Sequence, residues 1–244
     1  MSDKRLSWRY GPLPSQYMEA WLPDDGPPPP VAIVIHGGWW RARHDLHLMD
    51  DLCADLARSG WLAVNIEFRR IDADGGGWPV TLDDVCLGIR SVPRSSLPLA
   101  PTPPVAIGHS AGGHLALLAA ASESLGGVVG LAPVTDVARS ARSGLGEGAA
   151  AAFVGTALDV DPARFDAASP VRRVPLGCPQ MIVHGDQDAR VPVQHSRDYV
   201  AASRAAGDQV EYVEVEGGDH FCVIDPSSAP WSRVRTWLGE HDGR

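Results

Sequence analysis

Ser110 lies at the centre of Gly108-His109-Ser110-Ala111-Gly112, a G-x-S-x-G pentapeptide. A serine hydroxyl is a poor nucleophile near neutral pH. It attacks a carbonyl only when a base takes its proton and a third group orients that base. Two segments further along the chain carry the residue types required. His220 sits in Glu216-Gly217-Gly218-Asp219-His220-Phe221, and Asp188 sits in His184-Gly185-Asp186-Gln187-Asp188-Ala189-Arg190-Val191-Pro192. Asp186 competes for the acid's place, and the spacing of Asp188 to Val191-Pro192 favours Asp188. Attack also builds negative charge on the carbonyl oxygen, which preorganised backbone N–H groups must meet. His36-Gly37-Gly38-Trp39-Trp40 has glycines that let a main chain approach that oxygen. An oxyanion hole is therefore expected from Gly37, Gly38 and Trp39, with the N–H of Ala111 as a further donor. Taken singly, a His in a Gly-rich loop is an ordinary solvated residue and an Asp after a strand an ordinary turn former. Taken together, they support acyl transfer through Ser110, with His220 as base and Asp188 as the orienting acid.

The elements around these residues must bring them to one edge of a sheet. Val105-Ala106-Ile107 ahead of the pentapeptide reads as a strand, and residues 113–120 behind it as a helix. That context places Ser110 in a sharp, strained turn whose flanking glycines avoid clashes. Val31–Ile35 is a continuous apolar run, as expected of a strand buried on both faces. Residues 17–23 read as a strand paired with residues 6–10, followed by a stiff connection through Asp24-Asp25-Gly26 and four prolines. A helix is expected over 45–58, ended by Gly60, and a strand over 61–68. Thr81-Leu82-Asp83-Asp84 resembles a capping box opening the next helix. Gly127–Leu131 and residues 181–183 are strands, 193–206 a helix, Val210–Val215 a strand and 230–238 a final helix. Strands alternating with helices imply an α/β domain, a mostly parallel sheet with helices on both faces. In such a sheet Asp188 and His220 follow strand ends on the edge that carries Ser110. Residues 133–170, rich in Ala, Gly and Ser, break the rhythm and read as a small cap or lid inserted in a single domain spanning 1–244.

Other residues near these motifs need weighing. Trp40, Trp78, His109 and Phe221 are candidate walls of a substrate pocket, as is Trp39, with core packing as the alternative for each. His36 and His184 are expected to brace their loops by hydrogen bonding, and His114 to pack behind the elbow. His44 and His47 fall at metal-ligand spacing, but the sequence offers no evident third ligand, so no metal is expected. Glu67 is expected to pair with a nearby arginine.

The chain's 244 residues suffice for one α/β domain with a core that needs no disulfide or metal. A net charge of −9 argues against nucleic acid and anionic membranes as partners. No stretch is long and apolar enough to suggest a membrane span, and the first residues lack the apolar run of a signal peptide. Cys53, Cys86, Cys178 and Cys222 are scattered without C-x-x-C spacing, so reduced, mostly buried thiols and a cytoplasmic location are expected.

Four motifs together resemble the α/β-hydrolase superfamily: His36-Gly37-Gly38-Trp39, Gly108-His109-Ser110-Ala111-Gly112, His184-Gly185-x-x-Asp188-x-x-Val191-Pro192 and Gly218-Asp219-His220-Phe221. The H-G-G-x-W loop is similar to that of the kynurenine formamidase and small carboxylesterase group, with Trp39 where many lipases have a third glycine. The Asp188 motif also resembles the prolyl-oligopeptidase-like hydrolases. The resemblance implies a serine hydrolase with Ser110 as nucleophile, Asp188 as acid and His220 as base, working without a cofactor or metal. A small carboxylic ester is the first expected substrate, an aryl formamide such as N-formylkynurenine the second and a short peptide the third. A catalytically inactive hydrolase-fold binding protein is the non-enzymatic alternative. The expected partner is thus a small ester or amide, with a homodimer left open.

Overall fold

The computed structural model describes residues 4–24, 26–94, 97 and 99–242; Met1, Ser2, Asp3 and Asp25, on which two of the readings above touch, lie outside them. The first two strands, β1 (Arg5–Arg9) and β2 (Tyr17–Trp21), form an antiparallel pair. β3 (Val31–Ile35) and β4 (Leu62–Ile66) follow, separated by a 3-10 turn at Leu46–Met49 and helix α1 (Asp50–Arg58). α2 (Val80–Ser91), β5 (Val105–His109), α3 (Ala111–Ala120) and β6 (Gly127–Leu131) come next. Three short helices, α4 (Val137–Arg142), α5 (Ala149–Val154) and α6 (Pro162–Ala167), occupy the inserted segment. The chain ends with β7 (Gln180–Gly185), α7 (Gln194–Ala205), β8 (Val210–Val215) and α8 (Ala229–Glu240).

The strands form one sheet in the order β1-β2-β4-β3-β5-β6-β7-β8. From β4 to β8 every pairing is parallel, and only β1 and β2 run against their neighbours. The central strands are buried along their whole length, which is why they read as apolar runs rather than alternations. Their side chains divide between two cores. Ile33 and Ile35 join the layer with Val85 and Ile89 of α2 and Tyr199 of α7. Ala32 and Val34 point the other way, to Leu52 and Leu56 of α1 and Trp231 and Val234 of α8. Helix α3 is buried on every side. Its all-apolar circumference suits a helix wedged between sheet, neighbouring helices and the inserted segment.

Two local expectations differ from the structure. Thr81 does not cap a helix: α2 begins at Val80, with Pro79 ahead of it. The Thr81 hydroxyl accepts the Gly77 N–H at 2.9 Å and donates to the Arg69 carbonyl at 2.8 Å. Asp84, the other half of the proposed box, is taken by Arg69 through two hydrogen bonds of 2.6 and 2.7 Å. The helix expected over 45–58 also opens as a 3-10 turn, with Asp45 accepting the His47 N–H at 3.0 Å.

Candidate functional site

Ser110 occupies the turn between β5 and α3 with φ 55° and ψ −117°. A left-handed φ is rare for a residue with a side chain and stores strain. The turn is held by hydrogen bonds on both sides. The Ser110 N–H donates to the Leu131 carbonyl at 2.8 Å, and its own carbonyl accepts the His114 N–H at 3.0 Å. Gly112 is required by crowding, since a methyl there would run into the carbonyls of Ile35 and His36. Gly37 is required for the same reason from the facing loop, where a Cβ would stand 3.0 Å from that of Ser110. That loop therefore lies directly against the serine. Gly38, Trp39 and Trp40 all have positive φ, at 117°, 55° and 58°. Among the described residues, nothing accepts a hydrogen bond from the amides of Gly38, Trp39 or Ala111.

Asp188 and His220 come together beside this turn. The His220 Nδ1–H donates to Asp188 Oδ2 at 2.5 Å. The same oxygen accepts from His184 Nε2–H at 3.1 Å, while Oδ1 accepts the N–H groups of Arg190 and Val191 at 2.8 and 2.9 Å. Burial alone would raise the Asp188 carboxyl; hydrogen bonds from His184 and His220 outweigh it and hold the group well below the ordinary carboxylate range. Asp186, its competitor, turns away and accepts the Gly217 N–H at 2.8 Å. His220 and Ser110 line one cleft, together with Gly38, Trp39, His109 and Phe221.

His109 is buried between these parts. Its Nε2–H donates to the His220 carbonyl at 3.0 Å, tying the loop after β8 to the end of β5. Burial first, and the neighbouring His220 second, push the His109 imidazole down to about 3, so it stays neutral. His114 accepts the Trp40 indole N–H at 3.2 Å and donates to the Ala168 carbonyl at 2.7 Å. His36 reaches Glu67 Oε1 at 3.1 Å, and His184 accepts the Ser196 hydroxyl at 2.7 Å. Glu67 also takes the Leu46 and Phe68 amides at 3.1 and 2.9 Å, and Arg70 at 3.4 Å.

Two candidate pocket walls stand elsewhere. Trp40 is 1% exposed and stacks on Phe153 of α5, with ring centroids 4.3 Å apart. Trp78 leans on the same phenylalanine, 6.4 Å between centroids, and is not among the residues lining the cleft beside Ser110. For Trp40 the core-packing alternative holds: its ring is buried against the inserted segment rather than lining the cleft, and Trp78 packs on the same segment. Conversely, Arg43, His44, Leu48 and Arg190 line the cleft without having been singled out as its walls. Their signal was position alone, since each follows a loop that carries a candidate residue. His47 does find carboxylates, Glu19 and Asp50, within ligand distance of one another. Arg5 already sits on both acids, at 3.8 and 3.4 Å.

The BD-FAE family matches this chain over residues 18–202. The chain belongs to the BD-FAE family. Esterase LipC of Mycobacterium tuberculosis (strain ATCC 25618 / H37Rv) is 27% identical to it over 248 residues, covering 88% of this chain and 59% of that protein. The chain thus spans less than two thirds of that relative's length. A truncated carbohydrate esterase from gut microbiota superposes with a TM-score of 0.85 at 22% identity, covering 98% of this chain and 97% of that one. Esterase B from Lactobacillus Rhamnosis (HN001) superposes with a TM-score of 0.83 at 20% identity, covering 98% and 85%. This BD-FAE member therefore has the α/β-hydrolase fold, and the superfamily expected from its four motifs is the right one.

Proposed function

We propose that this chain is a serine hydrolase of small carboxylic esters. The observation that carries the reading is the 2.5 Å hydrogen bond from His220 to Asp188, with His220 and Ser110 facing one cleft. Asp188 accepts at Nδ1, so the His220 Nε2 lone pair is left to take a proton from Ser110 as its oxygen attacks the carbonyl. The ionised Asp188 stabilises the imidazolium that results. The amides of Ala111, Gly38 and Trp39 meet the oxyanion, each worth about 2.7–4 kcal/mol to the transition state. His220 then protonates the departing alcohol, water attacks the acyl-enzyme, and the acid leaves. These steps need no metal or cofactor.

The ester is favoured over the formamide and the peptide because the relatives just described are named as esterases. The inserted helices act as a cap over the cleft in this reading, supported by Trp39 lying against Gly146 ahead of α5. A cytoplasmic location fits four free cysteines. Purified protein is expected to hydrolyse short-chain p-nitrophenyl esters and to be labelled by a fluorophosphonate. Ser110→Ala should lose about four orders of magnitude or more in kcat, along with the label. Undiminished turnover in that variant would overturn the assignment, and a wild-type protein that neither turns over nor labels would mark an inactive binding protein. N-formylkynurenine surpassing the best ester in kcat/KM would move the substrate to the aryl formamides.

A further inference from the structure

The mouth of the cleft beside Ser110 is cationic in a chain of net charge −9. Arg43 and Arg190 both line it, with His44, Leu48 and Phe221. Arg190 is positioned by the turn that carries Asp188, its amide donating to Asp188 Oδ1 at 2.8 Å. Its guanidinium lies over the Phe221 ring, 5.1 Å from the centroid. A guanidinium stacked in this way keeps the N–H groups at its edge available for an anion. Among the described residues Arg190 forms no ion pair. Arg43 is joined to Glu147 at 3.4 Å, but the two side chains are 44% and 78% exposed. A pair that open to water contributes little and yields readily to a better partner.

His44 reports on the same cluster. Burial is the main cause that lowers its imidazole below the ordinary value; the charges of His36, Arg43 and Arg190 act in the same direction, and that of Asp45 acts against them. The neighbouring carboxylates Asp45 and Asp219 each hold backbone amides through one oxygen. Asp45 accepts the His47 amide at 3.0 Å, and Asp219 accepts those of Phe221 and Cys222 at 3.0 and 2.9 Å. Asp188 is buried beneath with its four donors. Two guanidinium groups line one opening, neither firmly bound to a carboxylate among the described residues, and the forked N–H donors of a guanidinium suit a carboxylate ligand.

We infer that Arg43 and Arg190 form a subsite for an anionic group, selecting esters whose alcohol portion carries a carboxylate. The assignment to the alcohol rests on the proposed hydrolase reading. His220 hands its proton to the leaving oxygen, and Phe221 with Arg190 stands next to His220, so the leaving alcohol is the part that meets the arginines. The charge contact exists in the bound ester as well as in the transition state, so it acts on KM more than on kcat.

The test uses two acetyl esters of the same shape, those of 4-hydroxybenzoate and 4-hydroxybenzamide. The wild-type protein should prefer the anionic ester by about fivefold to tenfold in kcat/KM, chiefly through KM, and the ratio should shrink at high salt. Arg190→Gln should bring the ratio close to one, and Arg190→Lys should restore part of it. A ratio near one in the wild type, or one that Arg190→Gln leaves intact, would overturn the subsite. A second arm needs no turnover: 4-hydroxybenzoate should bind the wild-type protein more tightly than 4-hydroxybenzamide by calorimetry, and Arg190→Gln should abolish the difference. If neither ester is hydrolysed, the hydrolase reading fails while the binding arm still decides the subsite. Equal binding of the two phenols would reject the subsite whatever the esters do.

Discussion

At the scale of single residues, Asp188 and Ser110 are held by opposite means. Ser110 is kept in a strained conformation that costs on the order of 1–3 kcal/mol, maintained because the chain on both sides is fixed by β6 and α3. Asp188 is unstrained and saturated, a carboxylate with four N–H donors around its two oxygens. The setting of Asp188 also differs from that of Asp186, and that difference predicts how each acid responds to removal of its charge. In Asp188→Asn, one face of the amide must present an NH2 group to a donor already there, either to His220 and His184 or to the backbone of Arg190 and Val191. The His220 ring then loses its preferred tautomer, and kcat should fall by about 10⁴-fold. Asp186 accepts the Gly217 N–H and the Gln187 side-chain amide through Oδ1, contacts an amide oxygen reproduces. Asp186→Asn should therefore stay within a few-fold of wild type. Steady-state kinetics on the two variants decide the matter, and a loss of only a few-fold in Asp188→Asn would remove Asp188 from the proposed mechanism.

At the scale of elements, the loop after β3 depends on the inserted helices. Trp39 and Trp40 both adopt positive φ, which no isolated chain would sustain for two bulky residues. Phe153 of α5 stacks on Trp40 and meets the His114 ring edge-on, 5.4 Å between centroids, while the Trp40 indole donates to His114. One aromatic side chain thus braces the loop against α3. Phe153 is 1% exposed, so Phe153→Ala should cost about 3–5 kcal/mol by urea denaturation. A loss below about 1 kcal/mol would show that the loop holds its shape without α5. This contact was not legible in the sequence, and the reason is general. Buried parallel strands announce themselves as apolar runs, and glycines mark the turns after them, so the positions of Ser110, Asp188 and His220 at strand ends could be read in advance. Thr81 and Asp84 looked like a local cap, yet Arg69, from the loop after β4, takes both. Trp40 and Trp78 looked like cleft walls, yet Phe153, from an insertion without strong periodicity, takes both. Local pattern identifies what an element is; it carries no record of which distant side chain will claim its polar or aromatic groups.

At the scale of the whole molecule, buried neutral histidines couple the fold to pH. His109, His114 and His195 are at most 1% exposed. Burial is the leading cause in each case, lowering them from 6.5 to about 3, about 4 and about 4. In the unfolded chain each titrates near its ordinary value. Between about pH 6.5 and pH 4 the unfolded state therefore binds protons that the folded state refuses. Where the unfolded state binds more protons, stability rises with pH, so acidification across this window destabilises the fold. Three such groups give a slope of up to about 4 kcal/mol per pH unit near the middle of the window. Asp188, held low by its donors, adds its loss only at more acidic pH, in the same direction. Urea midpoints measured between about pH 7 and pH 4.5 should fall steeply below pH 6. His195 serves as the internal control, because its Nε2 has no hydrogen-bond partner among the described residues and it lies outside the residues lining the cleft. His195→Phe removes one of the three titrations and should flatten the slope by about a third. A stability profile that stays level down to pH 4.5 would mean that these imidazoles take up protons inside the folded protein, and that the interior around β5 and α3 is wetter than its packing indicates.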